Sequence, residues 1–337
     1  MQISEYVSLG HPDKMADYIS SYILDRYIKK DPNTRYAVEC QIKGSDVNLA
    51  GEITSKAKFT KKQIEKFVKE AVAEIGYTKE YQKFWGKQNT ICDKDIKVHT
   101  FITKQSPDIA QGLEGWGDQG IFFGCAYPRE DYDYFEGTKY LATIIGDELY
   151  KEGVVGKDIK VLVVKKATVL SKVIIAAPIK KDAQLNSKVL NDVRAICEDA
   201  ECPLIINGTG KFVKHGPIAD SGTTGRKLAV DFYGGSCRIG GGSPWTKDGT
   251  KADLTLNLYA RYLALKFLKD NDVKEPVFCE IACAIGSRTI DICLHSADGV
   301  IFKEYIEEKS PKELIKFFKL DKPIYAEMCR NGLFARI

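Results

Sequence analysis

Four glycine-rich segments place charged side chains beside flexible backbone, a combination that exposes amide groups and lets cations converge on an anion. They cover residues 10–14, 115–120, 220–227 and 240–253. None of them is a Walker A loop, and none is a dinucleotide-binding glycine motif that follows a strand. The sequence therefore excludes these two standard ways of holding phosphate.

The cations of these segments favour a bound polyphosphate. His11 stands between Gly10 and Pro12, just before a predicted helix whose N-terminus would favour an anion, although Asp13 could simply cap that helix. The last two segments gather four cations, and eight glycines lie between residues 222 and 249; the cations are Arg226, Lys227, Lys247 and Lys251. A solvated charged face is the alternative interpretation. Polyphosphate held by Arg and Lys, with Mg²⁺ on carboxylates such as Asp13 and Asp253, fits the residue types better.

Composition excludes several other classes of protein. The 337 residues are 44% hydrophobic and 28% charged, typical of two or three globular domains. A formal net charge of +4 does not indicate a nucleic-acid-binding protein. The apolar runs are too short to span a membrane, and the N-terminus lacks a secretory pattern, which predicts a cytoplasmic location. The ten cysteines include no Cys-x-x-Cys pair, so we expect reduced, buried thiols.

Hydrophobic periodicity predicts mixed helices and strands without regular alternation, which favours layered α+β domains. Capping boxes at Thr60 to Gln63 and Ser310 to Glu313 predict two helix starts. Further helices are predicted at 13–30, 138–152, 184–199 and 252–269. Strands are predicted at 36–42, 47–53, 96–102, 160–164, 173–177, 228–233, 277–285 and 290–294.

A set of motifs in a fixed order resembles the S-adenosylmethionine synthetase, or methionine adenosyltransferase, family. The motifs lie at residues 4–14, 50–54, 104–109, 117–120, 208–212, 220–227, 230–235, 240–242 and 323–325. They extend over nearly the whole chain, so the set is far more specific than any single motif.

The resemblance implies a fold and a reaction. The fold is three similarly built α+β domains around a pseudo-threefold axis, here expected at 1–106, 113–212 and 213–337, with a short active-site loop at 107–117. In the reaction, the methionine sulfur attacks C5′ of ATP by an SN2 step. The displaced tripolyphosphate is then hydrolysed to phosphate and diphosphate. The resemblance also implies a homodimer or tetramer with the active site between subunits, two Mg²⁺ ions per site, and K⁺.

Site residues follow from the resemblance position by position. His11, Arg226 and Lys247 would be catalytic, and Asp13 and Asp253 would hold the Mg²⁺ ions, with Glu39 at the K⁺ site. The ATP and triphosphate set comprises His11, Lys211, Phe212, Asp220, Arg226, Lys227, Ser243, Lys247 and Lys251. The methionine set comprises Glu52, Gln105, Asp118, Asp220 and Lys251.

Three departures from the family pattern indicate a diverged member. The loop at 107–117 is shortened, so gating of the site is expected to differ. The chain has 165–168 as Lys-Lys-Ala-Thr where the family carries an Asp-Gly-Lys turn, and Lys211 replaces an Arg, which loses a bidentate contact. The rival hypotheses are a Mg²⁺-dependent tripolyphosphatase or ATP phosphohydrolase, and a non-catalytic nucleotide-binding paralogue.

Overall fold

The computed structural model describes residues 1–106, 115–152, 155–167, 169–180, 187–197 and 201–337. Within these ranges the chain forms three four-stranded sheets with helices packed on them. The predicted α+β class is confirmed. In the same ranges no helix is long and apolar enough to cross a membrane.

The first sheet carries the start of the candidate site. Its order is β4-β3-β2-β9, from β2 (Arg35–Lys43), β3 (Asp46–Thr54), β4 (Lys97–Thr103) and β9 (Gly222–Thr223). Helices α1 (Pro12–Lys30) and α2 (Lys61–Ile75) pack on one face. The alternation of buried and exposed side chains along β2 explains this arrangement. Val38 and Cys40 point to the helices, while Glu39 points to the open face.

The second sheet has the order β1-β6-β7-β8, from β1 (Gln2–Val7), β6 (Lys160–Lys166), β7 (Val169–Ala176) and β8 (Leu204–Ile206). Helix α4 (Gly137–Glu152) packs on β1 and β6, and α5 (Ser187–Ile196) packs on α4. The third sheet has the order β12-β11-β10-β5, from β5 (Gly120–Ala126), β10 (Val277–Cys283), β11 (Thr289–His295) and β12 (Ile301–Glu308). Helix α7 (Ala252–Asp270) covers it, beside α8 (Pro311–Phe317).

Each sheet contains one strand from a distant part of the chain, namely β9, β1 and β5. Three further short α-helices are α3 (Lys79–Trp85), α6 (Leu228–Asp231) and α9 (Tyr325–Asn331). Helix α9 packs on α1, which is therefore buried on almost every side. The linear domain boundaries proposed above stay predictions.

Most predicted elements are confirmed, including both capping boxes. The predicted strand at 228–233 is wrong, because Leu228–Asp231 forms a helical turn in which the Phe232 amide bonds to the Leu228 carbonyl. Six alternating residues are too few to distinguish a strand from one helical turn that buries Val230 and Phe232. Parts of the predicted helix at 184–199 lie outside the described residues. Eight of the ten cysteines are buried.

His215 gives the fold a pH dependence that can be measured. Its Nε2 lies 2.7 Å from the Tyr81 hydroxyl and its Nδ1 lies 2.7 Å from the Val213 carbonyl oxygen. Burial lowers the pKa of His215 to about 4. The unfolded chain protonates this group near pH 6.5, so its contribution to stability is present above pH 6.5 and is lost as the pH falls towards 4.

Replacing His215 by Gln should therefore make acid destabilisation shallower by up to about 1.4 kcal/mol per pH unit between pH 6.5 and 4. Urea unfolding at a series of pH values measures the difference from the parent chain. His99→Gln is the control, since His99 pairs with Asp46 on the surface. An unchanged pH slope in the His215 variant would contradict the prediction.

Candidate active site

The site begins at the N-terminus of α1, where His11 and Asp13 stand. His11 is the N-cap of α1, and its Nδ1 accepts a hydrogen bond of 3.1 Å from the Asp13 backbone amide. The side-chain proton of neutral His11 is therefore on Nε2. Burial, followed by the nearby cations Lys160 and Lys227, lowers the pKa of His11 to about 3. His11 is thus a neutral hydrogen-bond donor near pH 7.

The 222–227 loop lies directly against this helix start. Asp13 Oδ1 accepts from the Thr223 amide at 2.9 Å, and Asp13 Oδ2 accepts from Lys227 Nζ at 2.7 Å. Arg226 approaches the same carboxylate at 3.7 Å. Burial opposes ionisation of Asp13, but the bonds from Lys227 and the Thr223 amide outweigh it and lower the pKa of Asp13. A Cβ at Gly222 would lie 2.0 Å from the Pro12 carbonyl oxygen, so this approach requires glycine.

A second carboxylate and lysine pair stands at the N-terminus of α7. Lys247 Nζ lies 2.5 Å from Asp253 Oδ2. The glycine triplet passes so close that a Cβ at Gly242 would lie 1.9 Å from Asp253 Oδ1. A Cβ at Gly225 would lie 3.1 Å from Ser243 Cβ, so the residue that follows the triplet packs against the 222–227 loop. Lys251 is the N-cap residue of α7.

Glu39 connects these two loops from the open face of the first sheet. Its carboxylate accepts hydrogen bonds from the hydroxyls of Thr224 and Thr246. Thr224 belongs to the 222–227 loop, and Thr246 precedes Lys247. Carboxylate and hydroxyl oxygens are donors suited to a hard cation, so this corner fits the predicted K⁺ site.

The residues predicted to bind the substrate methionine are not brought together within one chain. Glu52 lies on the same face of the first sheet as Glu39, and Gln105 follows β4. Neither side chain forms a hydrogen bond or ion pair with the described residues. Asp118 is exposed beside β5, where Oδ1 accepts from the Gln119 amide at 2.8 Å. Asp220 is exposed near His11, and its negative charge acts to raise the pKa of His11.

Two of the residues predicted to bind ATP lie apart from His11 and Asp13. Lys211 is exposed, and the Phe212 carbonyl oxygen accepts from the Ile179 amide at 2.8 Å, next to the second sheet. No hydrogen bond or ion pair joins either residue to His11 or Asp13 among the described residues. Residues 107–114 of the active-site loop and Thr168 lie outside the described residues.

The sequence interpretation missed Lys160, at the start of β6. The positive charge of Lys160 contributes to lowering the pKa of His11 and opposes the rise in the pKa of Asp158. Asp158 Oδ2 accepts a hydrogen bond from the Gly216 amide at 2.9 Å. The sequence did contain a signal for it, because Asp158 and Lys160 stand at the start of the strand predicted at 160–164. The sequence analysis considered Lys165, on the same strand, and did not name Lys160. Lys165 lies about 16 Å further along β6, at the usual rise per strand residue.

The two predicted magnesium carboxylates fit a metal that is bound together with substrate phosphate. The described residues contain no group of three or more His, Cys, Asp or Glu side chains arranged for a metal. Mg²⁺ is usually bound through one or two carboxylates plus substrate phosphates and waters, so a complete protein cage is not required. Asp13 and Asp253 each already face a lysine, in corners too narrow for an extra methyl group at Gly222 or Gly242.

Comparisons with known proteins agree with the order of the motifs. The family model described as S-adenosylmethionine synthetase, N-terminal domain, matches residues 1–107, and the corresponding C-terminal model matches residues 214–337. S-adenosylmethionine synthase of Zymomonas mobilis is 34% identical over 99% of this chain and 92% of its own. That of Acholeplasma laidlawii is 34% identical over 99% and 94%. A solved structure described as an unusual S-adenosylmethionine synthetase from Campylobacter jejuni has a TM-score of 0.87 at 28% identity, covering 98% of this chain and 94% of its own.

Proposed function

The chain belongs to the S-adenosylmethionine synthetase family and is a methionine adenosyltransferase; on that premise we propose how its residues carry out the reaction. ATP, L-methionine and water give S-adenosylmethionine, phosphate and diphosphate. The observation that carries the proposal is the convergence of Lys227, Lys247 and a neutral His11 beside two buried or half-buried carboxylates.

Charge on the departing triphosphate is the main obstacle to this displacement. The methionine sulfur is a neutral nucleophile, so no general base is needed, and the barrier falls when the leaving group is neutralised in a prearranged site. Lys227 and Arg226 on one side, and Lys247 and Lys251 on the other, provide that charge. His11 donates from Nε2 to an oxygen of the triphosphate or ribose, because its Nδ1 is already occupied by the Asp13 amide.

Asp13 and Asp253 would hold Mg²⁺, which supplies further charge neutralisation on the phosphate oxygens when bound. Both carboxylates would exchange a lysine contact for the metal, and the released lysines would turn to phosphate oxygens. Glu39, with the Thr224 and Thr246 hydroxyls, would hold K⁺. Glu52, Asp118 and Asp220 would attract the methionine ammonium group, and Gln105 would hydrogen-bond to the same substrate. Phe212 and Lys211 would contact the adenine side of ATP.

We propose that two copies of the chain complete the site. Four residues lie side by side across the open face of the third sheet: Ile121, Ala282, Asp291 and Ile306. Ile121 is 57% exposed and Ile306 is 69% exposed, and Phe101 on the first sheet is 66% exposed. Open sheet faces with large apolar side chains are typical of interaction surfaces. A second copy would cover them and bring Asp118 of one subunit to the Glu52 of the other, and sedimentation should give at least twice the mass of 37.7 kDa.

A product assay tests the proposed reaction. The purified chain is incubated with ATP, MgCl₂ and KCl, with and without L-methionine, and products are identified by mass spectrometry. The expected result is a sulfonium product with equal amounts of phosphate and diphosphate, all dependent on methionine. Phosphate release that is indifferent to methionine would instead support the phosphohydrolase. Nucleotide binding without turnover would support the non-catalytic paralogue.

We expect this enzyme to act in the cytoplasm.

A further inference from the structure

A buried ionic network lies beneath the proposed triphosphate site. Lys14 Nζ lies 3.0 Å from Asp17 Oδ2 and 2.6 Å from Asp231 Oδ1. The same ammonium lies 4.6 Å from the centre of the Trp245 indole, whose Nε1 donates to Asp231 Oδ2 at 2.7 Å. Lys14 is 3% exposed and Trp245 is 3% exposed. We call these four residues the Lys14 network.

The members of the Lys14 network connect three of the segments that are proposed to bind phosphate. Lys14 follows Asp13 in the first turn of α1. Asp17 Oδ1 accepts from the Gly225 amide at 2.9 Å and so holds the loop of Arg226 and Lys227. Trp245 lies between Ser243, whose Oγ accepts from the Trp245 amide at 3.2 Å, and Lys247. One ammonium group thus connects the start of α1 with two segments that lie more than 200 residues later in the sequence.

Stability alone is a poor explanation for this arrangement. Burying charges carries a large desolvation cost, and apolar residues of the same volume often stabilise a core equally well or better. The charges do fix geometry, because each hydrogen bond specifies a partner and a direction. Burial alone would lower the pKa of Lys14, but Asp17 and Asp231 outweigh it and raise the pKa, which keeps the ammonium charged. With almost no exposed surface, Lys14 cannot reach a ligand.

We infer that the Lys14 network is a positioning device which sets the register of the three cation-bearing segments around the triphosphate. The inference rests on the proposed function, since it assigns the network to the triphosphate part of that site. Misplacement of reacting groups by about 1 Å can cost about 100-fold in rate, so small shifts of Lys227 and Lys247 should be measurable. Glu52, Gln105 and Asp118, three of the five residues proposed to bind methionine, lie on other segments. The KM for methionine should therefore depend on the network much less than the KM for ATP.

The test uses Trp245→Phe, which keeps an aromatic ring under Lys14 but removes the hydrogen bond to Asp231. We expect about tenfold weaker binding of inorganic tripolyphosphate in the presence of MgCl₂, measured by calorimetry, because a hydrogen bond to a charged group is lost. The KM for ATP should rise and kcat should fall, while the KM for methionine stays within about twofold. Circular dichroism should remain that of the parent. Trp85→Phe is the matched control, since Trp85 is also buried but lies against His215.

The outcomes separate the inference from the proposed function. Parent-like tripolyphosphate binding by Trp245→Phe would overturn the inference, as would an equal loss in Trp85→Phe or an equal rise in the KM for methionine. Lys14→Met leaves two carboxylates without their cation and can fail to fold, so the Trp245 variant decides the question. A parent chain that binds tripolyphosphate but forms no sulfonium product would refute the proposed function and leave the positioning role intact.

Discussion

Replacing Asp13 by Asn should reduce kcat by roughly 1,000-fold or more, comparable to losing a principal charge-stabilising contact in other enzymes. The amide can still accept the hydrogen bond from the Thr223 backbone. It removes the negative charge that faces Lys227 at 2.7 Å and Arg226 at 3.7 Å, and it removes one of the two proposed Mg²⁺ ligands. Turnover is measured from S-adenosylmethionine formation at saturating ATP and methionine.

The fold should survive this replacement, because the change in shape is minimal. Circular dichroism and thermal unfolding of the variant check that point. Asp46→Asn is the matched control, since Asp46 lies on β3 of the same sheet and pairs with the surface residue His99. It should keep parent activity. Parent-like activity in a folded Asp13→Asn chain would remove Asp13 from the proposed site.

Gly242→Ala should lower kcat/KM for ATP by about 100-fold, because the new methyl group would occupy the position of the Asp253 carboxylate. The Cβ would lie 1.9 Å from Oδ1 and 2.3 Å from Oδ2 of that residue. The carboxylate must move, and it takes with it the contact to Lys247 Nζ. The measurement is steady-state kinetics with ATP as the varied substrate and MgCl₂ in excess.

Gly241→Ala offers a close control for this prediction. A Cβ at Gly241 would have no atom within 4 Å, although it is the adjacent residue. The control should therefore keep kcat/KM within about threefold of the parent, while any general stiffening of the glycine triplet would affect both variants. Equal losses in the two variants would contradict a specific role for Asp253. A folded Gly242→Ala chain with parent kinetics would contradict it as well.

Local chemistry determined most of the secondary structure. The capping box of Thr60 and Gln63 marks the start of α2, since both groups satisfy backbone donors within four residues. The alternation in β2 likewise separates a helix-facing side from an open side. At 228–233 the same reasoning was wrong, because packing of Val230 and Phe232 favoured a helical turn. Strands β1, β5, β8, β9 and β12 were not predicted at all.

The pairing of β1 and β9 depends on partners that are distant in the chain. Strand β1 pairs with β6 some 150 residues later, and β9 pairs with β2 from about 180 residues away. Two residues of β9 carry no periodic signal of their own. Yet this short strand places Thr223 against Asp13, and with it the cations that follow. The sequence therefore predicted the residue types of the site without any indication of the distances between them.

By itself, the sequence determined the chemical inventory: the family, the α+β class, the helix starts, and the cations and carboxylates suited to a triphosphate. These depend on residue types and on spacings of a few residues, where local hydrogen bonding and periodicity act. Only the tertiary structure decided that Lys227 meets Asp13, that Lys160 approaches His11, and that Lys14 joins three segments. Such contacts arise from strand pairing and shared burial across hundreds of residues, because packing free energy depends on the whole fold and not on any one segment.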